Sequence, residues 1–373
     1  MKERREIVQR WRQGGATVLV TLVAAEGSSY RRPGARLLLG ATGDYAGTIS
    51  GGCLEGEVVR KAAWLVRGGA VVERYSTMFD DTAEVPFGLG CGGVVDLLLE
   101  PVDAGEGKAL MTALERSIAG EESTVWTWLP GKERRLRRVV LARSGEVLFA
   151  SATLSNVEVL RAKADVQRQD ADGTGAGVFV ERLVAPQRLF VLGAGDDAKP
   201  LVSMAGLLGW SVAVMEGRTQ LARADRFPEA ERVELLEASS VESLGIRTED
   251  AVVLMTHSYE QDRALLTAVL PLNPRYFGLL GARHRSSLLV SEAAAILGWS
   301  VAQCCERIYA PVGLDLGGDG PEAIALAVIA EAQACCAGKL GASRRLSPED
   351  VANHLKQGGV SRYLRAQCAL DVA

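Results

Sequence analysis

Two cysteines of this sequence stand among glycines: "SGGCLEG" places Cys53 after Gly51 and Gly52, and "GLGCGG" sets Cys91 between Gly90 and Gly92. Glycine on either side removes side-chain bulk, so the backbone bends sharply and a large ligand or a partner reaches the sulfur. A core thiol packs against apolar neighbours, which glycines do not supply. After Cys53, the residues Leu54, Val58, Ala62 and Leu65 share one helical face, and the positive end of a helix favours thiolate. Cys53 is therefore a candidate nucleophile or soft ligand. Glu55 and Glu57 oppose that shift in part, or serve only as favourable first-turn acids. Upstream, "EGSSYRRPGARLLL" groups Ser28, Ser29 and Arg31 in a turn before a strand. These are donors for an oxyanion or phosphate, or simply a hairpin connection with a solvated arginine.

A second chemistry-bearing segment is "VLGAGDDA", a GxGxxA pattern with Gly193, Gly195 and Ala198. In a nucleotide site Gly193 permits the tight turn, Gly195 lets phosphate approach the backbone, and a small third residue allows close helix packing. Glu216 follows about twenty residues later, where an acidic side chain meets ribose hydroxyls. Asp196 and Asp197 would repel a pyrophosphate, and have an ordinary alternative role in capping the helix. His257, in "MTHSYEQD", falls at the carboxyl end of a strand, where such sheets bind ligands; Asp262 either orients it or caps the next helix. In "APVGLDLGGDGPEAIALAVIAEA", Gly313, Gly317 and Gly318 precede a helix with Pro321 first and Glu322 in its first turn. That is either a backbone anion site or a loop made for tight packing.

The elements that must position these residues are legible from periodicity. Apolar runs from Ala16 and from Arg36, then "AVVERYSTM" and "VVDLLLEPV", read as strands, with a helix from Leu54 to about Arg67 stopped by Gly68 and Gly69. Residues 1–105 form an N-terminal α+β domain on this reading. Residues 106–185 hold a helix from Gly107 to Ala119 and several short strands, as an extension or small subdomain, with "VQRQDADGTGAGV" as a loop or hinge. Residues 186–340 alternate strand, glycine turn and helix, which specifies a Rossmann-type, doubly wound domain with a mostly parallel sheet. Residues 341–373 are a helical tail. The fold class is α/β.

A chain of 373 residues exceeds what one hydrophobic core supports, and 48% apolar with 24% charged residues is a folded composition. A net charge of −4 argues against nucleic-acid binding. The run Arg134, Arg135, Arg137, Arg138 reads as a solvated strand or loop edge. "MKERREIVQRW" lacks the apolar core of a signal peptide, and no apolar run reaches membrane-spanning length, so a cytoplasmic protein is expected. Its seven cysteines then read as thiols, with Cys304, Cys305, Cys335, Cys336 and Cys368 as core or surface groups and no metal-ligating spacing.

Taken in order, "GSSYRRPGARL", "SGGCLEGEV", "GLGCGG", "GAGDDAKPLV", "VLMTHSYEQD", "GLLGARHRSS" and "APVGLDLGG" followed by "PEAIALAVIAE" resemble the XdhC family over roughly Thr17 to Glu331. The resemblance implies a maturation factor for molybdenum hydroxylases such as xanthine dehydrogenase. Such a factor binds the molybdenum cofactor (molybdopterin), protects it while a cysteine desulfurase supplies its terminal sulfur, and passes it to the apoenzyme, more chaperone than catalyst. The matching positions are Arg31; Gly51, Gly52, Cys53 and Glu55; Gly90, Cys91 and Gly92; Gly193 and Gly195; His257; Arg283; and Gly313 to Gly318 with Glu322. Cys53 and Cys91 are the candidates for contact with molybdenum or for sulfur relay. Molybdenum and dithiolene sulfur suit thiolate, and the phosphate tail suits a glycine-loop helix start or Arg31.

The sequence departs from the family at Asp196, where many members carry histidine, at Tyr30 for proline, at Ala282 for serine, and at Gly320 for threonine or serine. A homo-oligomer is expected, because a carrier presents its cargo at a partner surface. Two other functions compete: an NAD(P)-dependent oxidoreductase using GxGxxA and Glu216, and a non-catalytic Rossmann interaction module.

Overall fold

The computed structural model describes every residue except 28, 53, 77–92, 132–134, 169–172, 176, 237 and 342–373. The first sheet is built from Ala16–Glu26 (β1), Arg36–Gly40 (β2), Tyr45–Gly47 (β3), Val71–Ser76 (β4) and Val94–Pro101 (β5). Its order is β3-β2-β1-β5-β4, and every neighbouring pair is antiparallel. The central strands are apolar without alternation because both faces are covered. Val18, Val20, Leu37 and Leu39 pack on Val58 and Ala62 of helix α2 (Glu55–Leu65). Leu19 and Leu38 meet Ile7 and Val8 of α1 (Lys2–Arg12) and Leu110, Met111 and Leu114 of α3 (Gly105–Ile118). Helix α2 yields to a short 3-10 turn and ends at Gly69, whose φ of 112° no side-chain-bearing residue adopts cheaply.

A second antiparallel sheet comprises Ser123–Trp128 (β6), Arg137–Ala142 (β7), Val147–Ala150 (β8), Gly173–Gly175 (β9) and Val178–Leu183 (β10), in the order β8-β7-β6-β10-β9. It is joined to the first by buried charge. Arg138 donates to both carboxylate oxygens of Glu100 at 2.7 and 2.9 Å, to the Glu106 carbonyl at 2.5 Å and to Thr127 at 3.1 Å. Its side chain is 1% exposed and that of Glu100 is 0% exposed. Arg36 of β2 pairs with Glu181 of β10 in the same interface. The expectation of a solvated basic run is therefore wrong at Arg138, which spends its charge inside the protein. Arg137 also has a carboxylate partner, Glu158, at 2.9 Å.

The segment read as a loop or hinge is in part regular structure. Asn156–Arg168 is a helix (α4), and Gly173–Gly175 pairs with β10. A capping box starts the helix: the Ser155 hydroxyl accepts from the Glu158 N–H at 3.3 Å while the Glu158 carboxylate accepts from the Ser155 N–H at 2.9 Å. Ala162 seals it against Val139 and Leu141.

The third sheet is wholly parallel: Arg188–Leu192 (β11), Ser211–Glu216 (β12), Arg232–Leu235 (β13), Ala251–Leu254 (β14) and Tyr276–Leu279 (β15), ordered β13-β12-β11-β14-β15. This is the Rossmann order, and Tyr309 adds a one-residue parallel bridge beyond β15. One face is covered by Ala198–Leu207 (α5) and Pro321–Cys336 (α9), the other by Tyr259–Val269 (α6) and Arg283–Leu297 (α7), with Val301–Cys305 (α8) following α7. A doubly wound domain was the expected architecture, and it is present.

Removing one member of the Arg138–Glu100 pair strands the other charge in the core. Glu100→Ala is expected to cost about 3 to 5 kcal/mol of unfolding free energy by urea titration, and Glu100→Leu with Arg138→Met to recover most of it.

Candidate functional site

Strand polarity brings three connections to one end of the first sheet. Strands β1 and β3 finish there, β4 finishes at Ser76, and β5 starts at Val94, opposite Glu26 and Ser76. The turn holding Tyr30 and Arg31, the loop holding Gly51 and Gly52, and the connection whose sequence includes Gly90, Cys91 and Gly92 all leave from this end. Cys53, Gly90, Cys91 and Gly92 themselves lie outside the described residues.

The loop ahead of α2 is wrapped around a carboxylate of its own chain. Glu55 Oε1 accepts from the Thr48 hydroxyl at 2.5 Å and from the N–H groups of Ile49, Ser50 and Gly51 at 3.1, 2.9 and 3.3 Å. Oε2 accepts from the Ser50 hydroxyl and from the Gly52 N–H at 3.0 Å. The Ser50 oxygen in turn accepts from the Leu54 N–H at 3.0 Å. Glu55 is 3% exposed. Burial works against its charge, but the hydrogen bonds from Ser50 and Thr48 outweigh it and hold the carboxyl down at about 2. Gly51 and Gly52 adopt φ of 124° and 111°, the left-handed half of conformational space that lets successive N–H groups converge on one carboxylate. Glu55 thus shapes the loop on both sides of position 53. Arg31 is likewise engaged, donating from both guanidinium nitrogens to Glu3 of α1, with Nη1–Oε1 at 3.0 Å.

The second group gathers at the carboxyl edge of the parallel sheet. Gly193 has φ of 126° and passes so close to Met255 that a Cβ there would collide with its carbonyl. A Cβ at Gly195 would collide with Asp197 and stand 3.5 Å from His257 Nε2. These two side chains are joined, Nε2 to Oδ2, at 2.8 Å. Asp197 occupies the N-cap position of α5 but makes no capping bond, and Asp196 turns to Lys199 and Arg226 at 2.8 and 2.9 Å, so neither aspartate caps the helix. His257 has φ of 63°. Asp262 fixes its neighbour, accepting from the Thr256 N–H and hydroxyl at 3.3 and 2.6 Å and from Arg285 at 2.6 Å. The cap of α6 is Ser258; Asp262 therefore orients the turn.

Glu216 is not free to meet a ribose. It accepts from the Ala194 N–H at 2.9 Å, from the Arg218 N–H at 2.9 Å, and from two guanidinium nitrogens of Arg218, each at 2.9 Å. Burial disfavours its charge, but the bonds from Arg218 and Ala194 keep the carboxyl below its ordinary range. Arg218, two residues beyond the strand, was readable in "MEGR" as a partner for Glu216. With Glu216 consumed and the Asp197–His257 pair over Gly195, these residues do not fit a dinucleotide. Arg283 opens α7 on the same edge, exposed and without a side-chain partner among the described residues. Gly313 donates to buried Glu331 at 2.8 Å, and Glu331 also takes the Tyr276 hydroxyl at 2.7 Å. Gly317 and Gly318 carry φ of 77° and 86° ahead of α9, whose first turn has no side-chain cap.

Among the described residues, the structure does not merge these two groups. Contacts tying the antiparallel half to the parallel sheet lie at the amino ends of its strands: Arg5 with Glu231 at 2.6 Å before β13, and Gly209 against Met1 and Lys2 before β12. A cavity of about 700 Å³ lies on that side, lined by Met1, Arg116, Arg143, Arg188, Trp210 and Arg247 among others. The glycine loop and His257 are at the opposite ends of the strands.

Two outcomes test these assignments. The folded pKa of Glu55 lies below its unfolded value, so its contribution is complete above the ordinary carboxyl range and is lost as pH falls toward about 2. Glu55→Gln is expected to lower stability at neutral pH by about 2 to 3 kcal/mol and to converge on the parent between roughly pH 5 and pH 2 in acid titrations. Calorimetric titration with NAD(H) or NADP(H) is expected to show no binding tighter than about 1 mM.

The chain matches two family models: the XdhC and CoxI family over residues 10–76 and the XdhC Rossmann domain over residues 189–332. It is 27% identical to a probable xanthine dehydrogenase subunit of Bacillus subtilis (strain 168), over 84% of this chain and 91% of that one. It is 26% identical to the molybdenum cofactor insertion chaperone PaoD of Escherichia coli (strain K12), over 87% of this chain and 85% of the relative. A crystal structure described as a xanthine dehydrogenase from Bacillus halodurans superposes with a TM-score of 0.77 at 25% identity, covering 94% of this chain and 99% of that one. Two family models in the order of the two halves, and relatives aligned along most of the length, agree with the fold: the chain belongs to the XdhC family.

Proposed function

We propose that this protein carries the molybdenum cofactor during maturation of a xanthine dehydrogenase-type hydroxylase, holding it while a cysteine desulfurase supplies the terminal sulfur and then releasing it to the apoenzyme. The carrying observation is the convergence of three connections at one end of the first sheet, with the Gly51–Gly52 loop already shaped by Glu55. The names of the two relatives, one a cofactor insertion chaperone and the other part of a xanthine dehydrogenase, support the same reading.

The chemistry follows from softness and access. Cys53 comes directly after Gly52, and Cys91 lies in the β4–β5 connection; thiolates there are soft partners for the molybdenum and dithiolene end of the cargo. Because the loop is bonded to its own glutamate, it keeps its shape before cargo arrives and after it leaves. A carrier needs that property, since ordering a loop on every transfer would cost affinity.

The test is purification from cells with cofactor synthesis active, followed by molybdenum analysis and fluorescence of the oxidised pterin. The parent chain is expected to hold both, and Cys53→Ser and Cys91→Ser to lose most of the bound molybdenum and the ability to activate apoenzyme. Parent protein clean of both, or cysteine variants as loaded and as active as the parent, would refute the proposal.

A further inference from the structure

Thiolate chemistry at the glycine–cysteine loop makes no use of Tyr30, yet this exposed aromatic ring stands beside that loop. The residue is 73% exposed although it sits within the turn that also bears Arg31. The ring is not free in orientation: a Cβ on Gly51 would stand 3.0 Å from both Cδ1 and Cε1, so the ring edge rests on the one loop position bare enough to receive it. The turn behind it is held by the Ser29 hydroxyl, which donates to the Arg31 carbonyl at 2.7 Å, and by the Arg31–Glu3 pair. An aromatic ring fixed at one edge by a shaped loop and otherwise open to solvent has an unexplained hydrophobic cost, since most of its apolar area stays wet.

We propose that Tyr30 is a stacking platform for the planar ring system of the cargo, a pterin-class heterocycle, beside the Gly51–Gly52 loop. Stacking of a heteroaromatic ring on an aromatic side chain contributes about 1 to 3 kcal/mol, depends on the ring face and not on the hydroxyl, and tolerates variation in the ring's substituents. Gly51 has a double duty here: its N–H serves Glu55 while its missing side chain seats Tyr30. This inference rests on the cofactor-carrier reading.

The experiment uses the full chain with two probes, 6-carboxypterin and molybdenum cofactor released from a molybdoenzyme, and reads pterin fluorescence quenching and dissociation constants. Tyr30→Ala is expected to weaken both probes about tenfold and to abolish the quenching, while Tyr30→Phe stays within about twofold of the parent. Thermal melting of both variants is expected to match the parent, because the ring is exposed. Binding by Tyr30→Ala equal to the parent overturns the platform and leaves the carrier reading intact. Failure of the parent to bind either probe overturns both.

Discussion

A buried carboxylate that accepts backbone N–H groups is the interaction on which both glycine-rich segments depend. Glycine gives a loop the freedom to bend, and for the same reason gives it no preferred shape. Glu55 collects the N–H groups of Ile49, Ser50, Gly51 and Gly52, and Glu216 collects those of Ala194 and Arg218. In each case the chain supplies the anion that a bound phosphate supplies in many nucleotide loops. The arrangement differs between the two. Around Glu55 the donors turn inward, onto a carboxylate that follows them in the chain. Around Glu216 all four bonds come from the chain itself, two of them from the Arg218 guanidinium.

The same economy of charge operates in the framework. Arg138 and Glu100 are inaccessible to water, and such a pair is worth little over apolar residues of the same volume. Its geometry is nonetheless specific: two bonds to the carboxylate, one to the Glu106 carbonyl at the start of α3, and one to Thr127. It fixes the second sheet against the first at the strand β5 that leads away from the β4–β5 connection. The same boundary also holds apolar contact, with Val23 and Leu98 of the first sheet against Phe179 of the second, so charge geometry and apolar packing together fix how the two sheets meet.

Much of this was legible in the sequence where local rules coincide with the fold. Apolar runs of four to six residues separated by glycine turns and helical spacing specified the parallel sheet, and Gly193 meets the steric demand that its motif implies. What escaped was partnership over distance. Nothing near Arg138 announces Glu100, and nothing in a run of arginines distinguishes a buried one from a solvated one. Asp197 read as a helix cap because local bonds are what spacing reveals; its actual partner, His257, is sixty residues away in sequence. The α4 start was readable, since Ser155 and Glu158 have capping-box spacing, but the polar composition around residues 166–178 masked it.

The candidate site residues divide into two stations, and strand geometry sets their separation. The Arg31–Glu3 pair ties the turn beside the Gly51–Gly52 loop to the start of α1, and that start lies against Gly209 at the amino end of β12. Glu216, at the other end of β12, lies beside the glycine loop. A strand of this length spans roughly 20 Å at about 3.3 Å per residue. One ring system held at Tyr30 therefore does not touch His257 of the same chain. Arg283 and His257 are open to solvent on an edge that faces away from the antiparallel half, so whatever they meet approaches from outside this half of the molecule. The candidate residues thus stand at two separate places, the end of the antiparallel sheet beside Tyr30 and the carboxyl edge of the parallel sheet beside His257, and a ligand at one leaves the other open.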